Sequence, residues 1–499
     1  MGEHETLRRE LGRFDTVLFM ISAMVVVDTV GAIAIGGGEA VFWLVVLFVT
    51  FFVPSALISA ELGAAIPEEG GAYVWVRMAF GRFAGALTSL LYWACTPMWL
   101  GGSVAVVAMA VVERFVGHLS RPGMVLFGAL FVALATLGAV MPLRYGKWVP
   151  SSGALAQIAL LLFFTATVAL YGARHGVQGI GLADLAPSRG VFIAVVPVLL
   201  FSFVGVEMPT AAAGEMRDPR RDIPSAVLRA GIGLALMYGI PILAILIVLP
   251  TERVTSLTGL IDALATVLTV YGGDVSASGA VTLSGAGSWL GLLSAGVFVW
   301  VLLASGSAWI IGAGRTQAAA CLDGAGPFAL GHIDERTGVP VRMGLLSGGL
   351  ALLTLVADLA VTGGDSQMYF SAALSVSIAL FVLAYLLIYP AFIVLRRSHP
   401  EIARPFRAPG GSFGAWTLTA LATGWSLLAV VCLLWPGFGT NRPDDHLPAG
   451  FAGRRAEFEL LVLTPIALVL AACGLYFLLA RDRSHTTTLE ESRWTTQSR

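Results

Sequence analysis

The chain has 499 residues, of which 57% are hydrophobic and only 12% are charged, and its formal net charge is −1. Soluble domains carry about 25% charged residues, so this composition excludes an ordinary soluble protein and indicates an integral membrane protein. A chain without net positive charge also lacks the basic surface that nucleic acid needs. The expected partner is therefore the lipid bilayer, and nucleic acid is not expected.

The cysteines and histidines give no sign of a metal site, a disulfide or an active site. The four cysteines are far apart inside apolar runs, and the seven histidines lie in predicted loops or tails with no two at metal-ligand spacing. The sequence also lacks a GxSxG motif, a phosphate-binding loop and a pair of catalytic carboxylates. We therefore expect no enzyme, no bound metal and no cofactor.

Twelve stretches are long and apolar enough to cross the hydrocarbon, which takes about 20 residues. We number them span 1 to span 12, and they cover residues 15–39, 41–62, 83–112, 122–141, 149–171, 190–214, 225–249, 287–313, 341–361, 367–395, 413–435 and 457–480. Residues 1–14 and 481–499 are predicted tails. The sequence thus predicts an all-α, multi-pass protein of the inner (cytoplasmic) membrane.

Basic residues are distributed unevenly between the two sides that these spans define. Of the 30 lysines and arginines, 22 fall on the side of the N-terminus and 8 on the other side. Because cytoplasmic loops are enriched in Lys and Arg, both tails are predicted to be cytoplasmic and residues 250–285 to be extracellular.

Spans 1–5 (residues 15–171) and spans 6–10 (residues 190–395) are predicted to form two repeats that cross the membrane in opposite senses, since five is an odd number. The first span of each repeat is interrupted, by Ser22, Asp28, Thr29 and Gly31 in span 1 and by Gly205 and Glu207 in span 6. Broken spans at corresponding positions of inverted repeats indicate a transporter whose substrate binds at the breaks. Spans 11 and 12 (residues 413–480) lie outside the repeats and are expected to serve packing or dimer contacts, which leaves a monomer and a homodimer open.

Three sets of motifs resemble the signatures of one family. They are SAEL at 59–62 with IPEEGGAYVWV at 66–76 and AFG at 79–81; FVGVE at 203–207 with GEMRDPRRDIP at 214–224; and Arg315, Ala319, DG at 323–324 and GVP at 338–340. The chain resembles the amino acid–polyamine–organocation permeases, whose fold was first seen in bacterial leucine transport. The resemblance implies a secondary active transporter or exchanger that moves a small molecule, an amino acid, by alternating access. A polyamine or organic-cation permease is the alternative, and a membrane sensor that binds without transport is a further one.

Two positions depart from the pattern of that family. Many members have a glycine-rich break in span 1, and the matching triplet here is Val26-Val27-Asp28. Many also have a lysine in span 5 that acts in proton coupling, and Gln157 stands at that position here. The second departure argues against coupling through a lysine.

The two breaks are the expected substrate site. A half-helix that begins in mid-membrane offers N–H groups to an anion, and an unwound helix end offers carbonyls to an ammonium group. An amino acid needs both, which favours residues 23–29 and 201–205. The candidate substrate-binding residues are Ala23, Met24, Val26, Val27, Asp28, Thr29, Trp93, Met98, Phe201, Ser202, Phe203, Gly205, Trp300 and Ser305.

Several of these candidates also have a plainer interpretation. The resemblance aligns Phe201 with a gating aromatic ring that lies over the bound substrate, but a buried Phe also suits an ordinary core. Trp93, Met98 and Trp300 lie in mid-span and either line the pocket or fill the core. Ser305 either completes the site beside span 1 or bonds to its own helix backbone.

The two intramembrane carboxylates each have two interpretations. Asp28 either caps the outer half of span 1, accepting from the N–H groups of Val30 and Gly31, or pairs with a substrate amine or a cationic side chain. Glu207 either ties span 6 to a neighbour or titrates during the transport cycle. In the second case the proton is the coupling ion.

Two regions outside the spans also carry predictions. Residues 250–285 are rich in Gly and Ser and are predicted to form either a mobile outer loop or a plain solvated linker. Near the cytoplasmic side, charged residues either form ionic contacts that hold an inner gate shut or are ordinary solvated charges. These residues are Glu61, Arg77, Arg217, Arg220, Arg221 and Arg315.

Overall fold

The computed structural model is almost entirely helical and describes residues 13–179, 181–208, 210, 219–276, 278–334, 336–361 and 365–479. Within these residues, nine helices are long and apolar enough to cross a membrane. They correspond to spans 2, 3, 4, 5, 7, 8, 10, 11 and 12, and run over Gly37–Ala65, Arg82–Phe115, Arg121–Val140, Trp148–His175, Pro219–Val248, Gly285–Leu322, Ser366–Ser398, Gly411–Leu434 and Arg455–Leu479. The prediction of an all-α membrane protein is confirmed.

The other three predicted spans contain shorter apolar stretches, and the one in span 9 is Val341–Ala357. Span 1 is divided into Arg13–Met24 and Thr29–Ala34, span 6 contains the helix Arg189–Ser202, and span 9 is Val341–Val361. The breaks in spans 1 and 6 are therefore confirmed. The count of twelve, the division into two repeats and the position of both tails stay predictions. Arg217 lies outside the described residues, and so do the side chains of Arg220 and Arg221.

Span 3 approaches spans 9 and 10 closely at two adjacent glycines. A Cβ added to Gly101 would lie 2.0 Å from a backbone carbonyl oxygen of span 9, and one added to Gly102 would lie 2.3 Å from a side-chain carbon of span 10. The same glycines belong to a π-helical turn, Leu100–Val104. Because a π turn changes the helical register, it sets the relative directions of Trp99 and Ser103.

The segment 250–285 is folded, and the prediction of a plain solvated linker is wrong. It contains the helix Gly259–Leu268, which we call the loop helix, and a two-stranded antiparallel hairpin, Gly273–Val275 paired with Val281–Leu283. Every residue of the loop helix except Asp262 is buried, and the helix packs against the outer half of span 1. Its sequence, GLIDALATVL, carries one charge, so burial against the spans is favoured over exposure to water. We call the face of the protein that carries this segment the outer face, and the opposite one the inner face.

On the inner face, the carboxylate of Glu61 in span 2 is buried in a cluster of basic groups. Arg396, at the end of span 10, donates from Nε to Oε1 over 2.8 Å and also bonds to Oε2. The Nε atom of Arg404 lies 3.4 Å from Oε1, and the backbone N–H of Ala408 donates to Oε2 over 2.7 Å. Glu61 thus joins span 2 to span 10 and to the linker that leads to span 11.

A second inner cluster forms around Asp323, directly after span 8. Arg77, on the short helix Ala72–Phe80 between spans 2 and 3, donates from Nη1 to Oδ2 of Asp323 over 2.6 Å, and the hydroxyl of Tyr73 bonds to the same oxygen. Nearby, burial raises the pKa of Glu68, and the positive charge of Arg77 partly offsets this. The ionic contacts predicted for Glu61 and Arg77 are therefore present.

Candidate functional site

The break in span 1 is held open by side chains from three other spans. Three consecutive backbone carbonyls point away from the helix axis there, because the helix ends at Met24 and restarts at Thr29. Their donors are Trp309 Nε1 of span 8 to Ala23 at 2.8 Å, the Tyr238 hydroxyl of span 7 to Met24 at 3.1 Å, and Gln157 Nε2 of span 5 to Val25 at 2.5 Å. Each unwound carbonyl thus has a protein partner, as a low-dielectric setting requires.

This arrangement changes what the break can offer to a ligand. The prediction that unwound carbonyls bind an ammonium group requires that the ligand share these oxygens with Trp309, Tyr238 and Gln157. Gln157 lies where the family resemblance places a lysine, and it contacts the break directly. Its amide donates one hydrogen bond there without a titrating proton.

Asp28 does not cap the outer half of span 1, so that interpretation is wrong. Its backbone has φ −67° and ψ −22°, which is helical rather than the extended conformation of an N-cap, and its side chain makes no cap hydrogen bond. Instead Oδ2 accepts from Trp99 Nε1 over 3.0 Å and from the Ser103 hydroxyl over 2.6 Å. Both donors belong to span 3, with Trp99 directly before the π turn and Ser103 within it, so the carboxylate is bound to that span.

The second oxygen of Asp28 is available for another contact. Oδ1 is buried and has no hydrogen-bond partner among the described residues, and the whole residue is only 2% exposed. The carboxylate also has no arginine or lysine partner in the described part of the chain. A buried ionised carboxylate is costly without a counter-charge, so this oxygen is one open position of the site. Oε2 of Glu207 is a second one, since it is also buried without a hydrogen-bond partner among the described residues.

Thr29 and Ser202 connect the two breaks. Their hydroxyls lie 3.0 Å apart, Thr29 Oγ1 also donates to the carbonyl of Val26 over 2.8 Å, and Ser202 donates to Val198 one turn back. Met24, Val26 and Val27 are all buried beside this contact. The residues predicted at the two breaks are therefore brought together.

The break in span 6 depends on a glycine. The helix ends at Ser202, and Gly205 has φ +94°, a conformation that side-chain-bearing residues rarely adopt. The N–H of Gly205 donates to the hydroxyl of Tyr385 in span 10 over 3.0 Å. This contact replaces a lost helical hydrogen bond and fixes the chain just before Glu207.

Glu207 is tied to neighbouring spans by tyrosines. Its Oε1 accepts from the hydroxyl of Tyr92 in span 3 over 2.7 Å, Tyr385 also interacts with the carboxyl group, and the residue is 2% exposed. The tie between span 6 and its neighbours is present. Titration of Glu207 stays a prediction.

Phe201 belongs to an aromatic cluster between the breaks. Its ring stacks on Trp309 with centroids 6.2 Å apart and meets Phe381 of span 10 edge to face at 5.9 Å. Trp309 in turn contacts Phe381 at 5.0 Å and Trp99 at 5.7 Å. Together with Tyr92, these rings form one cluster, in which Trp99 donates to Asp28 and Tyr92 donates to Glu207.

Four predicted contacts point elsewhere. Trp93 donates from Nε1 to Ser347 of span 9 over 2.8 Å, and Met98 receives a contact from Thr354 of the same span at 3.6 Å. Trp300 is 39% exposed on the outside of span 8. Phe203 is buried but turns toward spans 2 and 7, where it packs on Phe52 and Tyr238. Ser305 is buried with no hydrogen-bond partner for its hydroxyl among the described residues.

Helix geometry explains why Trp93, Met98 and Trp300 point elsewhere. Each residue of a helix turns by about 100°, so the neighbours of Trp93 and Met98, which are Tyr92 and Trp99, face the site instead. In span 8, nine residues separate Trp300 from Trp309, which is half a turn in direction. The sequence did contain a signal, because Tyr92, Trp99 and Ser103 form one stripe of polar-tipped side chains along span 3.

Comparisons with known proteins agree with this architecture. A family model described as an amino acid permease matches residues 11–448. A probable agmatine/putrescine antiporter of Lactococcus lactis is 27% identical over 410 residues, which cover 81% of this chain and 84% of the relative. An uncharacterized transporter of Legionella pneumophila is 27% identical over 455 residues, which cover 88% of this chain and 91% of the relative.

A solved structure shares the fold. It is the manganese transporter of Eremococcus coleocola in complex with an aromatic bis-isothiourea substituted compound, which superposes with a TM-score of 0.59 at 14% sequence identity and covers 93% of each chain. At this identity the likeness concerns the fold alone.

Proposed function

Since the chain belongs to the amino acid permease family, as its motifs indicated, we propose that it is a secondary transporter that carries a cationic amine across the cytoplasmic membrane by alternating access. The substrate class comprises polyamines and amino acids with a cationic side chain. The substrate binds between the breaks of spans 1 and 6, with one ammonium group on Asp28.

The observation that carries this proposal is the open carboxylate oxygen of Asp28. Trp99 and Ser103 are neutral donors, so they orient the carboxylate without neutralising it. An ammonium group supplies the missing charge, and a pair of opposite charges costs less to bury than a single charge. The relative from Lactococcus lactis, named for agmatine and putrescine, supports the same substrate class.

The closed centre fits one state of an alternating-access cycle. Asp28, Phe201 and Glu207 are each at most 2% exposed, so neither face gives water free access to them. We propose that the clusters around Glu61 and Asp323 hold the inner side shut, with Phe201 as the aromatic gate over the substrate. We further propose that Glu207 exchanges a proton during the cycle and that the outer face is extracellular.

The central test is the affinity of purified protein in lipid nanodiscs for putrescine, agmatine, arginine and leucine. Asp28→Asn keeps the shape of the side chain and an acceptor for Trp99, but removes the charge. We expect it to weaken binding of the cationic ligand by at least about 2 kcal/mol, roughly thirtyfold in Kd.

Glu207→Gln is the matched control, since it neutralises the other buried carboxylate and should leave this affinity nearly unchanged. Leucine binding equally well to wild type and Asp28→Asn, with no cationic ligand preferred, would rule out Asp28 as the counter-charge. Uptake of the bound ligand into proteoliposomes then separates a transporter from a sensor, because a sensor binds without flux.

A further inference from the structure

A separate cavity of about 580 Å³ opens on the outer face, away from the two breaks. Its wall includes the loop helix, the β-hairpin and the outer ends of spans 3, 5 and 7. The polar side chains that line it include Arg114, Arg253, Asp262, Thr266 and Gln178. Its volume lies in the range of about 300–1,000 Å³ that is usual for small-molecule sites.

The charges in this cavity are not balanced. Arg114 Nε lies 3.5 Å from Oδ1 of Asp262, and Oδ2 of Asp262 accepts from the hydroxyl of Thr258 over 2.6 Å. Arg253 lies against the turn of the hairpin, where its guanidinium would meet a Cβ added to Gly279. In the described part of the chain, the Arg253 side chain has no ion-pair or hydrogen-bond partner.

We propose that this cavity is a second, outer binding site for a small amine that carries a carboxylate, that is, an amino acid. The planar guanidinium of Arg253 matches a carboxylate with two parallel hydrogen bonds. Asp262 supplies the acceptor for the ammonium group and shares it with Arg114. A diamine has nothing to offer Arg253, so this site selects differently from the site at Asp28.

The position of the cavity connects it to the outer half of span 1. The loop helix lies between the two, and it touches span 1 through glycines without side chains. A Cβ added to Gly31 would lie 2.8 Å from the carbonyl oxygen of Ser256, and one added to Gly259 would lie 3.3 Å from the Cα of Gly31. A ligand on Asp262 therefore binds to the same helix that covers the outer half of span 1.

The experiment uses Val275→Cys, because Val275 lines the cavity and is 40% exposed, while the four native cysteines are buried. The rate at which a thiol reagent labels full-length protein in nanodiscs is measured with glycine, acetate or putrescine. We expect glycine to protect most and acetate less, with putrescine giving no protection. At ten times its Kd, a ligand that excludes the reagent slows labelling about tenfold, in proportion to the unoccupied fraction.

Adding Arg253→Gln should abolish the protection, and adding Asp262→Asn should reduce glycine to the level of acetate. Arg442→Gln is the matched control, since Arg442 is an exposed arginine that does not line the cavity, and protection should persist. Protection by putrescine alone, protection that survives Arg253→Gln, or no protection by any of the three ligands overturns the proposal. These outcomes are independent of transport and of Asp28.

Discussion

The breaks of spans 1 and 6 occupy corresponding places in the two predicted repeats but are built from different chemistry. In span 1, side chains from spans 5, 7 and 8 bind three consecutive carbonyls, so the break accommodates Val26 and Val27 where a glycine-rich turn is common in the family. In span 6, the break depends on the backbone freedom of Gly205. Three hydrogen-bond donors from neighbouring spans thus stabilise the break in span 1, whereas the conformation of a single glycine allows the break in span 6.

The carboxylates beside the two breaks also differ, in the kind of hydrogen-bond partner that each one has. The indole N–H of Trp99 can only donate, so in this conformation it favours the ionised form of Asp28. The hydroxyls of Tyr92 and Tyr385 can donate to a carboxylate or accept from a carboxylic acid, so they suit Glu207 in both protonation states. This contrast favours Asp28 as a fixed charge and Glu207 as a switch.

The largest effect is expected for Phe201→Ala, which removes the aromatic ring between the breaks of spans 1 and 6. Loss of a buried Phe costs about 3–5 kcal/mol when it serves the core alone, and loss of a gate abolishes the occluded state. We expect proteoliposome uptake to fall by most of its value, with a smaller loss of thermal stability than in Phe203→Ala. Phe203 is an equally buried ring that packs outside the cluster, so equal losses in both variants would make Phe201 a core residue only.

The difference between the carboxylates is tested by Glu207→Gln, which keeps an acceptor for Tyr92 but cannot titrate. We expect uptake by this variant to lose most of its dependence on pH, because the proton binding site is gone. Asp28→Asn should keep the wild-type pH profile at lower affinity. A wild-type pH profile in Glu207→Gln would remove Glu207 from coupling.

A smaller effect is expected at the backbone of the span 6 break. Gly205→Ala forces a side chain into a positive φ, which costs about 1–2 kcal/mol and should lower the melting temperature by a few degrees. Gly233→Ala in span 7 is the control, because a Cβ there meets no atom within 4 Å and the residue lies in a helix. Equal stability of Gly205→Ala and wild type would show that the break does not need the glycine.

The smallest effect is expected for Ser278→Cys, which tests the orientation of the protein in the membrane. Ser278→Cys lies on the exposed hairpin turn, where the Ser278 hydroxyl pairs with that of Ser276, so neither folding nor uptake should change. Labelling by a membrane-impermeant reagent on intact cells should succeed. Labelling only after lysis would invert the orientation.

The sequence was sufficient for the all-α membrane class and for the two breaks because membrane spans are specified locally. Apolar length marks each span, and Gly205 with Asp28 marks the breaks, since neither suits an unbroken lipid-embedded helix. The partners of Asp28 were not predictable in this way. Its place beside Trp99 and Ser103 depends on the π turn of span 3 and on glycines that admit spans 9 and 10, which are tertiary effects.

The same limit explains two further errors. Trp300 and Trp309 both lie in a long apolar helix, and composition alone does not say which faces protein and which faces lipid. The segment 250–285 has turn residues at its hairpin, but its helix is buried against spans 1, 5 and 7, which the local sequence does not show. The sequence predicted the elements, and packing between them decided which side chains meet.

The ionic cluster around Glu61 limits how far the chain can be shortened from its C-terminal end. Two of its partners, Arg404 and the N–H of Ala408, come from the linker after span 10. Truncation at the end of the predicted repeats would remove Arg404 and leave Arg396 as the one basic partner of Glu61 in this cluster. Oε2 of Glu61 would also lose the hydrogen bond from the N–H of Ala408. The linker after span 10 is therefore part of the inner cluster that we propose to hold that side shut, and a shortened chain has to keep residues 404–408.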